Sequence, residues 1–462
     1  MDDILAGRRG SVTWLGRRWL VPLVVTGGVV VASAGIATVN AATGGHGTGR
    51  GYHSGSVSIV TRAAGADGFV LVDPSRGGIE VRDLNGGYFG GAYSGERVTD
   101  ADDRWGNGVA DDPVTANVDA YYAAEMTWDY LLRVHKRAGV AGDGTGPVLF
   151  TNAGEAGDGI ASYEADCRCV LLSPPAAGGR SMNTIDVVAH ELGHGLSGLT
   201  AGFDNHGESG GLNEASSDII GTLVEFAAAN RTDTPDYTIG ESTSGGPLRR
   251  MDAPAAGCWD PTLADQDDTH VIAGPAIKFF YQLAVGSGPS RWGDSPTCGG
   301  APAVTGLGND KAGRIWYRAL TVYMVPNTDY AGAREATRRA AADLYGAGSV
   351  EAQTVTAAWA AVGVDGTKPV PTAPIGPKIK FVGGWWDVAG APTYHYIQFS
   401  HPQRQKVQLS ATGLPPGLQL DPNTGRVHGT PATIGEYEVT LTATDSDGNT
   451  RTHELTWSIT AG

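Results

Sequence analysis

The spacing of hydrophobic positions changes along the chain, and each change marks a structural unit. Up to about residue 180 they fall in short runs such as "GFVLVD" (68–73) and "GPVLFTN" (146–152), set among glycines and turn residues, which predicts strands. One stretch there, "AYYAAEMTWDYLLRVHKRA" (120–138), has helical period instead. From residue 183 the helical period dominates, in "NEASSDIIGTLVEFAAAN" (213–230), "GPAIKFFYQLAVG" (274–286), "DKAGRIWYRALTVY" (310–323) and "AREATRRAAADLYG" (333–346). Pro275 at a helix start and Gly286 past its end fit the usual asymmetry of helix termini. The Pro-rich "DGTKPVPTAPIGP" (365–377) reads as an extended linker. Beyond it the period becomes two: Tyr437, Val439, Leu441 and Ala443 alternate with polar residues, as do Leu455, Trp457 and Ile459, with "DSDGN" as the turn between them. The pattern predicts an α+β chain: a β-rich lobe (47–182), a helical lobe (183–364), the linker, and a small all-β sandwich (378–462).

Composition narrows what such a chain can do. Its 462 residues allow two or three domains, and 69 glycines imply many loops. The formal net charge of −16 argues against nucleic acid as a partner, because phosphate binding needs lysine and arginine. Arg8, Arg9, Arg17 and Arg18 precede the apolar "WLVPLVVTGGVVVASAGIATV", and "VNAA" offers a cleavage site near Ala41. Residues 1–41 therefore read as a signal peptide, with a retained anchor as the alternative, and the mature chain is expected to be secreted, free of the membrane and monomeric. Four cysteines suit an exported protein. Cys258 and Cys298 can pair; Cys167 and Cys169, two apart, are too close for an unstrained bridge to each other, and a C-x-C zinc site is the other use for them.

The chemistry concentrates in "DVVAHELGHGLSG" (186–198). Asn183 can cap a helix there, with Asp186 three positions on. At about 100° per residue, His190 and His194 lie about 40° apart on one face, within reach of one ion, while Val188, Leu192 and Leu196 face the core. Two imidazoles and a carboxylate with a fourth position for water make a zinc site, and Glu191 beside them can take a proton from that water. Ser197 and Thr200 stand where a third histidine motif would need glycine and histidine, so the third ligand is a downstream glutamate. Glu208 sits in the Gly-rich "HGESGG", read as a loop; Glu214 begins the next helical pattern, with Asp218 one turn on. A helix fixes a ligand better than a loop, which favours Glu214 as ligand and Asp218 as the carboxylate orienting a histidine.

With these residues in view, "VVAHELGHGLSGLTAG", "GESGGLNEASSDIIGTLVEF", "PDYTIGE", "THVIAGPAIKFFY" and "GLGNDKAGRIWYRALTVY" resemble successive blocks of the thermolysin family of secreted zinc endopeptidases, from about residue 47 to 364. The resemblance implies a two-lobed catalytic domain, a β-rich N-terminal and an α-helical C-terminal lobe, with the zinc cleft between them. It implies that His270 stabilises the oxyanion with Asp265 orienting it, that Arg249 holds the substrate carbonyl, and that Val187, Ile239 and Leu248 line an apolar pocket for the residue after the scissile bond. It also implies a structural calcium site at Asp186, Glu225, Asp236 and Glu241, with Thr238 arguing against a second ion beside it, and an outer calcium site at Asp100 and Asp102. The run "GLPPGLQLDPNTGRVHGTP" resembles immunoglobulin-like modules appended to secreted and surface proteins.

Three features depart from the family pattern. Only a few residues separate "VNAA" from "GTGRGY", where a long folding propeptide is usual. Asn205, beside His206, stands at the position of an oxyanion-stabilising tyrosine, and an amide can still donate there. The substrate-binding strand is matched only by "GIASYEADCRCV", through Ala161. The expected function is zinc-dependent hydrolysis of extracellular proteins or peptides on the N-terminal side of hydrophobic residues, with one catalytic zinc and one or more structural calcium ions. A zinc aminopeptidase would need a segment such as "GAMEN", which is absent. The alternative outside enzymology is an inactive protease-like scaffold that binds a surface or polymer through its sandwich.

Overall fold

The protein, here a computed structural model, is described over residues 45–87, 95–165, 167–204, 206–266, 268–366, 377–379, 385–397, 399–400, 406–423 and 425–461. The leader at 1–41, most of the linker and Asn205 lie outside the described residues. Among the described residues no helix is long and apolar enough to cross a membrane.

The N-terminal part is built on two sheets. Strands β1 (Gly45–Arg50), β2 (Ser56–Ala63), β3 (Phe69–Val70), β4 (Val72–Asp73), β5 (Ile79–Asp83), β6 (Glu96–Arg97), β7 (Thr99–Asp100) and β8 (Arg104–Trp105) precede helix α1 (Pro113–His135). Strands β9 (Val148–Thr151), β10 (Ala161–Glu164) and β11 (Cys169–Leu172) follow it. One sheet has the order β7-β3-β2-β1-β8; the other runs β10-β11-β9-β5-β4, with β6 on β5, and leaves β10 at its edge.

Helix α1 begins seven residues before the hydrophobic pattern does. Asp112 caps it by accepting the Thr115 N–H (2.7 Å), with Pro113 in the first turn. Its first turns bury polar side chains, so no apolar period announces them. Asp119 shows why: its carboxylate accepts the backbone N–H groups of Tyr52, His53 and Ser54 at 2.8–3.1 Å, joining the helix to the loop after β1.

The helical part contains α2 (Ile185–Gly198), α3 (Gly207–Ala228), α4 (Thr269–Ile272), α5 (Gly274–Ala284), α6 (Asn309–Arg318), α7 (Tyr330–Tyr345) and α8 (Val350–Ala361), with the short pair β12 (Thr238–Ile239) and β13 (Arg249–Arg250). The cap of α2 is Thr184, whose hydroxyl accepts the Val187 N–H, rather than Asn183. Asn183 instead donates from Nδ2 to the Ala116 carbonyl of α1 (2.9 Å). Helix α3 takes in the segment read as a loop. Glu208 is in its first turn, buried, accepting from Trp259 Nε1 and the Tyr330 N–H, both at 2.7 Å. That bracing is why a Gly-rich segment holds a helical turn.

One hydrophobic core runs from Ile59 and Trp105 through Leu192 and Leu196 to Phe279, Trp316 and Trp359. Phe279 and Trp359 stack with centroids 4.0 Å apart, each worth about 1.5–3 kcal/mol or more of burial. Helices α2 and α3 approach so closely that a Cβ on Gly221 would lie 2.5 Å from the Asp186 carbonyl oxygen. That approach lets side chains of α3 reach the histidines of α2.

The C-terminal unit has its own core of Val427, Val439, Leu441, Ala443, Leu455, Trp457 and Ile459. Its long strands, Gly435–Asp445 and Thr450–Thr460, pair antiparallel across the expected turn, between Trp385–Val388 and Val407–Thr412. A second sheet joins Thr393–Tyr396, Arg426–Gly429 and Leu418–Leu420. Asp387 is buried there, accepting from Trp457 Nε1 (2.7 Å) beside His395 (2.9 Å).

Cys258 and Cys298 are bonded. Cys167 and Cys169 are bonded to each other rather than left free for a C-x-C metal site. Arg168 between them has φ of 52°, which folds the chain tightly enough to bring the two Cα atoms to 5.1 Å, an ordinary disulfide separation.

Candidate metal centre

The centre is assembled by two helices. Histidines 190 and 194 project from α2, and their Nε2 atoms are 3.0 Å apart. From α3, Glu214 Oε2 comes within 3.4 Å of His190 Nε2 and 3.5 Å of His194 Nε2. An ion bound tetrahedrally at about 2.0–2.1 Å holds its ligand atoms about 3.3 Å apart, so the three atoms have the spacing zinc requires. Glu214 Oε2 is buried with no hydrogen bond of its own. A buried acceptor facing two imidazole nitrogens is the donor set of a cation site.

The other side of the cluster is fixed by hydrogen bonds. Asp218, fully buried one turn along α3, accepts His190 Nδ1 at 2.7 Å, which leaves the lone pair on Nε2. Arg249 of β13 closes on the same carboxylate with Nε (2.8 Å) and Nη2 (2.7 Å). Burial by itself would raise the Asp218 pKa; Arg249 and His190 hold it well below the usual carboxylate range. Burial likewise disfavours a charged His190, but the Asp218 carboxylate outweighs it and pushes the imidazole up to about 10. The same carboxylate, placed behind the ring, also makes Nε2 a better donor toward a cation.

Around this centre stand the other expected residues. Glu191 is buried on α2 next to His190. Exposed His270 brings Nε2 to 3.2 Å from Glu214 Oε2. Its Nδ1 meets Asp268 Oδ1 at 3.0 Å; Asp265, the carboxylate expected there, ends an exposed 3-10 turn instead. The sequence signal for Asp268 was its cap position: it accepts the His270 N–H at the start of α4. Val187 and Ile239 are buried, whereas Leu248 is 43% exposed, leaning over Gly240 with its N–H on the Ile239 carbonyl (2.8 Å). His206 caps α3. Edge strand β10 lies against α2, with Ala161 paired to Leu172.

A second cluster lies behind α2. Glu225, Asp233 and Glu241 bring carboxylate oxygens within 4.8 Å of one another. Buried Asp186 faces them; its Oδ1, Glu225 Oε1 and Glu241 Oε2 have no hydrogen-bond partner. Burial, then mutual repulsion, pushes Glu225 up to about 11, Glu241 to about 8 and Asp233 to about 7. Such oxygens suit a hard divalent cation. Asp233 was missed in the sequence. Asp236 stands outside the group of three: its N–H donates to Glu225 Oε2 (3.2 Å) and its carboxylate accepts the Thr238 N–H. At the expected outer site, Asp100 accepts the N–H groups of Asp102 and Arg104, and among the described residues the pair joins no cluster of three ligating side chains.

The sequence matches known proteins over most of its length. Residues 46–198 match the thermolysin metallopeptidase catalytic domain, residues 201–364 its alpha-helical domain, and residues 390–460 an Ig domain. The chain is 44% identical over 331 residues to the transglutaminase-activating metalloprotease of Streptomyces mobaraensis, covering 69% of this chain and 42% of that one. It is 38% identical over 271 residues to a thermolysin of Bacillus caldolyticus (54% and 45% covered) and 33% over 340 residues to the bacillolysin of Brevibacillus brevis (69% and 57%). The chain thus spans about half the length of the curated relatives it matches. Through its two peptidase domains, the chain belongs to the thermolysin family of metallopeptidases.

Proposed function

We infer that the protein is a secreted zinc endopeptidase that cleaves peptide bonds on the N-terminal side of hydrophobic residues. The observation that carries this reading is the convergence of His190, His194 and Glu214 at zinc spacing, with Glu191 adjacent and Asp218 behind. His190, His194 and Glu214 would hold zinc, which would supply Lewis acidity and a water of lowered pKa. Glu191, beside these ligands, would act as the general base toward the attacking water and return the proton to the leaving amine. His270, its Nδ1–H held by Asp268, donates from Nε2 to the carbonyl oxygen in its doubly protonated form as negative charge develops. Arg249, locked in place by Asp218, orients the peptide. An extended substrate pairs along β10, the end strand of its sheet among the described residues, by adding a further strand there. Val187, Ile239 and Leu248 form an apolar pocket for the residue after the scissile bond. Asp186, Glu225, Asp233 and Glu241 would hold calcium, which would offset their mutual repulsion. The relative from Streptomyces mobaraensis is named for activating a transglutaminase; proteolytic activation of another secreted enzyme is a fitting role for this chain.

The test is casein hydrolysis by residues 42–462 beside Glu191→Ala, with zinc measured in both. Activity lost while zinc is retained supports Glu191 as the base. Zinc in both proteins with cleavage by neither would overturn the peptidase reading in favour of the scaffold.

A further inference from the structure

Strand β10 makes an unusual contact with the metal helix. Tyr163 extends from the strand onto Gly195 of α2, one residue past His194 and four past Glu191. A Cβ built on Gly195 would lie 2.7 Å from both Cε2 and Cζ of Tyr163 and 2.9 Å from its hydroxyl oxygen, distances that real side chains do not tolerate. Gly195 is not among the positive-φ glycines, so the backbone does not demand glycine there. Glycine inside a helix is destabilising relative to alanine. The space it leaves is what the phenol fills.

The hydroxyl adds a second oddity: it is buried with no hydrogen-bond partner, a penalty that phenylalanine would avoid. The ring is therefore what the notch receives. Positions four apart share a helix face, so the notch continues the stripe that carries Glu191. The other end of the strand is also tethered, because the Cys167–Cys169 bond closes the turn into β11.

We propose that Tyr163, seated in the notch left by Gly195, is a positioning residue that fixes the height of edge strand β10 above the metal helix and so sets how closely a peptide can pair beside Glu191. This rests on the peptidase reading above. The contact ties substrate binding to the metal helix without touching substrate or metal. Displacing it weakens binding in the ground and transition states alike, which raises KM and leaves kcat nearly unchanged.

The experiment compares Tyr163→Ala, Tyr163→Phe, Gly195→Ala and the double variant Gly195→Ala/Tyr163→Ala. Substrates are an internally quenched peptide long enough to run the length of β10 and a blocked dipeptide. Tyr163→Ala and Gly195→Ala are expected to raise KM for the long peptide about 10- to 100-fold, the scale of a misplaced binding element, with kcat within about twofold and zinc content unchanged. The dipeptide should respond little. Tyr163→Phe should restore the low KM. The double variant should perform better than Gly195→Ala alone, because the clash is gone. Equal losses on both substrates, a fall in kcat alone, or no rescue by Tyr163→Phe would overturn the proposal. Amide hydrogen exchange along β10 reads the same contact without turnover: Tyr163→Ala must speed exchange in Ala161–Glu164, and unchanged exchange refutes the proposal even in a protein that cleaves nothing. A wild-type protein that cleaves neither substrate would instead count against the peptidase reading.

Discussion

Replacing Asp218 by asparagine keeps the shape of the side chain and removes its charge, so it isolates what the carboxylate does for the metal. In the native protein its two oxygens take three hydrogen bonds, one from His190 Nδ1 and two from Arg249. An asparagine has one acceptor oxygen. Its amide N–H₂ must then face either the imidazole N–H or a guanidinium N–H, donor against donor. If the oxygen stays with Arg249, the imidazole loses its orientation. If it stays with His190, a neutral amide polarises the ring far less than an anion does.

Either way the expected loss is that of a partner behind a metal-bound histidine, about 10- to 100-fold in zinc affinity, or about 1.4–2.8 kcal/mol. Stability of the zinc-free protein should fall further, by about 3–5 kcal/mol, because a guanidinium with a side-chain exposure of 17% loses its counter-charge. Zinc affinity is to be measured by chelator competition at neutral pH, and stability by thermal unfolding after zinc removal. Arg249→Ala serves as the control, since it spares the His190 bond; it should weaken substrate binding more than zinc binding. A folded Asp218→Asn protein with zinc affinity within about twofold of wild type would refute the reasoning, since His190 would then not depend on Asp218 for its orientation.

Other consequences are open to direct measurement. Glu225, Glu241 and Asp233 titrate near 11, 8 and 7 in the folded chain but near 4 when unfolded, so without a cation their contribution is complete below about pH 4 and is lost as pH rises through 7 and 8. Melting temperature in chelator should therefore drop between pH 5 and 9, and calcium should flatten that drop; identical profiles with and without calcium would remove the cation from the cluster. Cys258 and Cys298 are 40 residues apart, and loop-closure entropy assigns their bond about 4 kcal/mol, so the Cys258→Ser/Cys298→Ser variant should show a matching loss in denaturant titration. An unaltered midpoint would mean that packing alone holds that region. Gly221→Ala places a methyl 2.5 Å from a backbone oxygen, which must push α2 and α3 apart; about 1–3 kcal/mol of stability and faster zinc release are expected, and a variant with both unchanged would show the two helices free to adjust.

What the sequence disclosed and what it hid divide along a physical line. The metal helix was legible because its histidines, Glu191 and its apolar face all obey one local period. Glu214 was legible because a helical pattern surrounded it. Asp233 was not, because only the folding of the segment after α3 brings it beside Glu225 and Glu241, and no spacing encodes that return. Asp268 was passed over for Asp265 because a match by position ignores the cap; a residue two before a histidine at a helix start can bond both its N–H and its ring. The polar beginning of α1 and the glycine-rich beginning of α3 were missed since their helical turns are held by tertiary bonds, from the loop at residues 52–54 and from Trp259 and Tyr330.

The same division explains the cysteines. A spacing of two reads as too close for an unstrained bridge, and nothing in the segment announces that Arg168 takes the left-handed region and brings the two Cα atoms to 5.1 Å. Gly195 carries a related lesson at the centre of the site. In "HELGHG" it looks like a weak spot in a helix, and only the phenol of Tyr163 gives it a purpose. Residues whose role lies in their own segment can be assigned from the chain alone. Residues that exist to admit another part of the molecule become intelligible only when that other part is in place, as Gly195 does once Tyr163 of β10 lies against it.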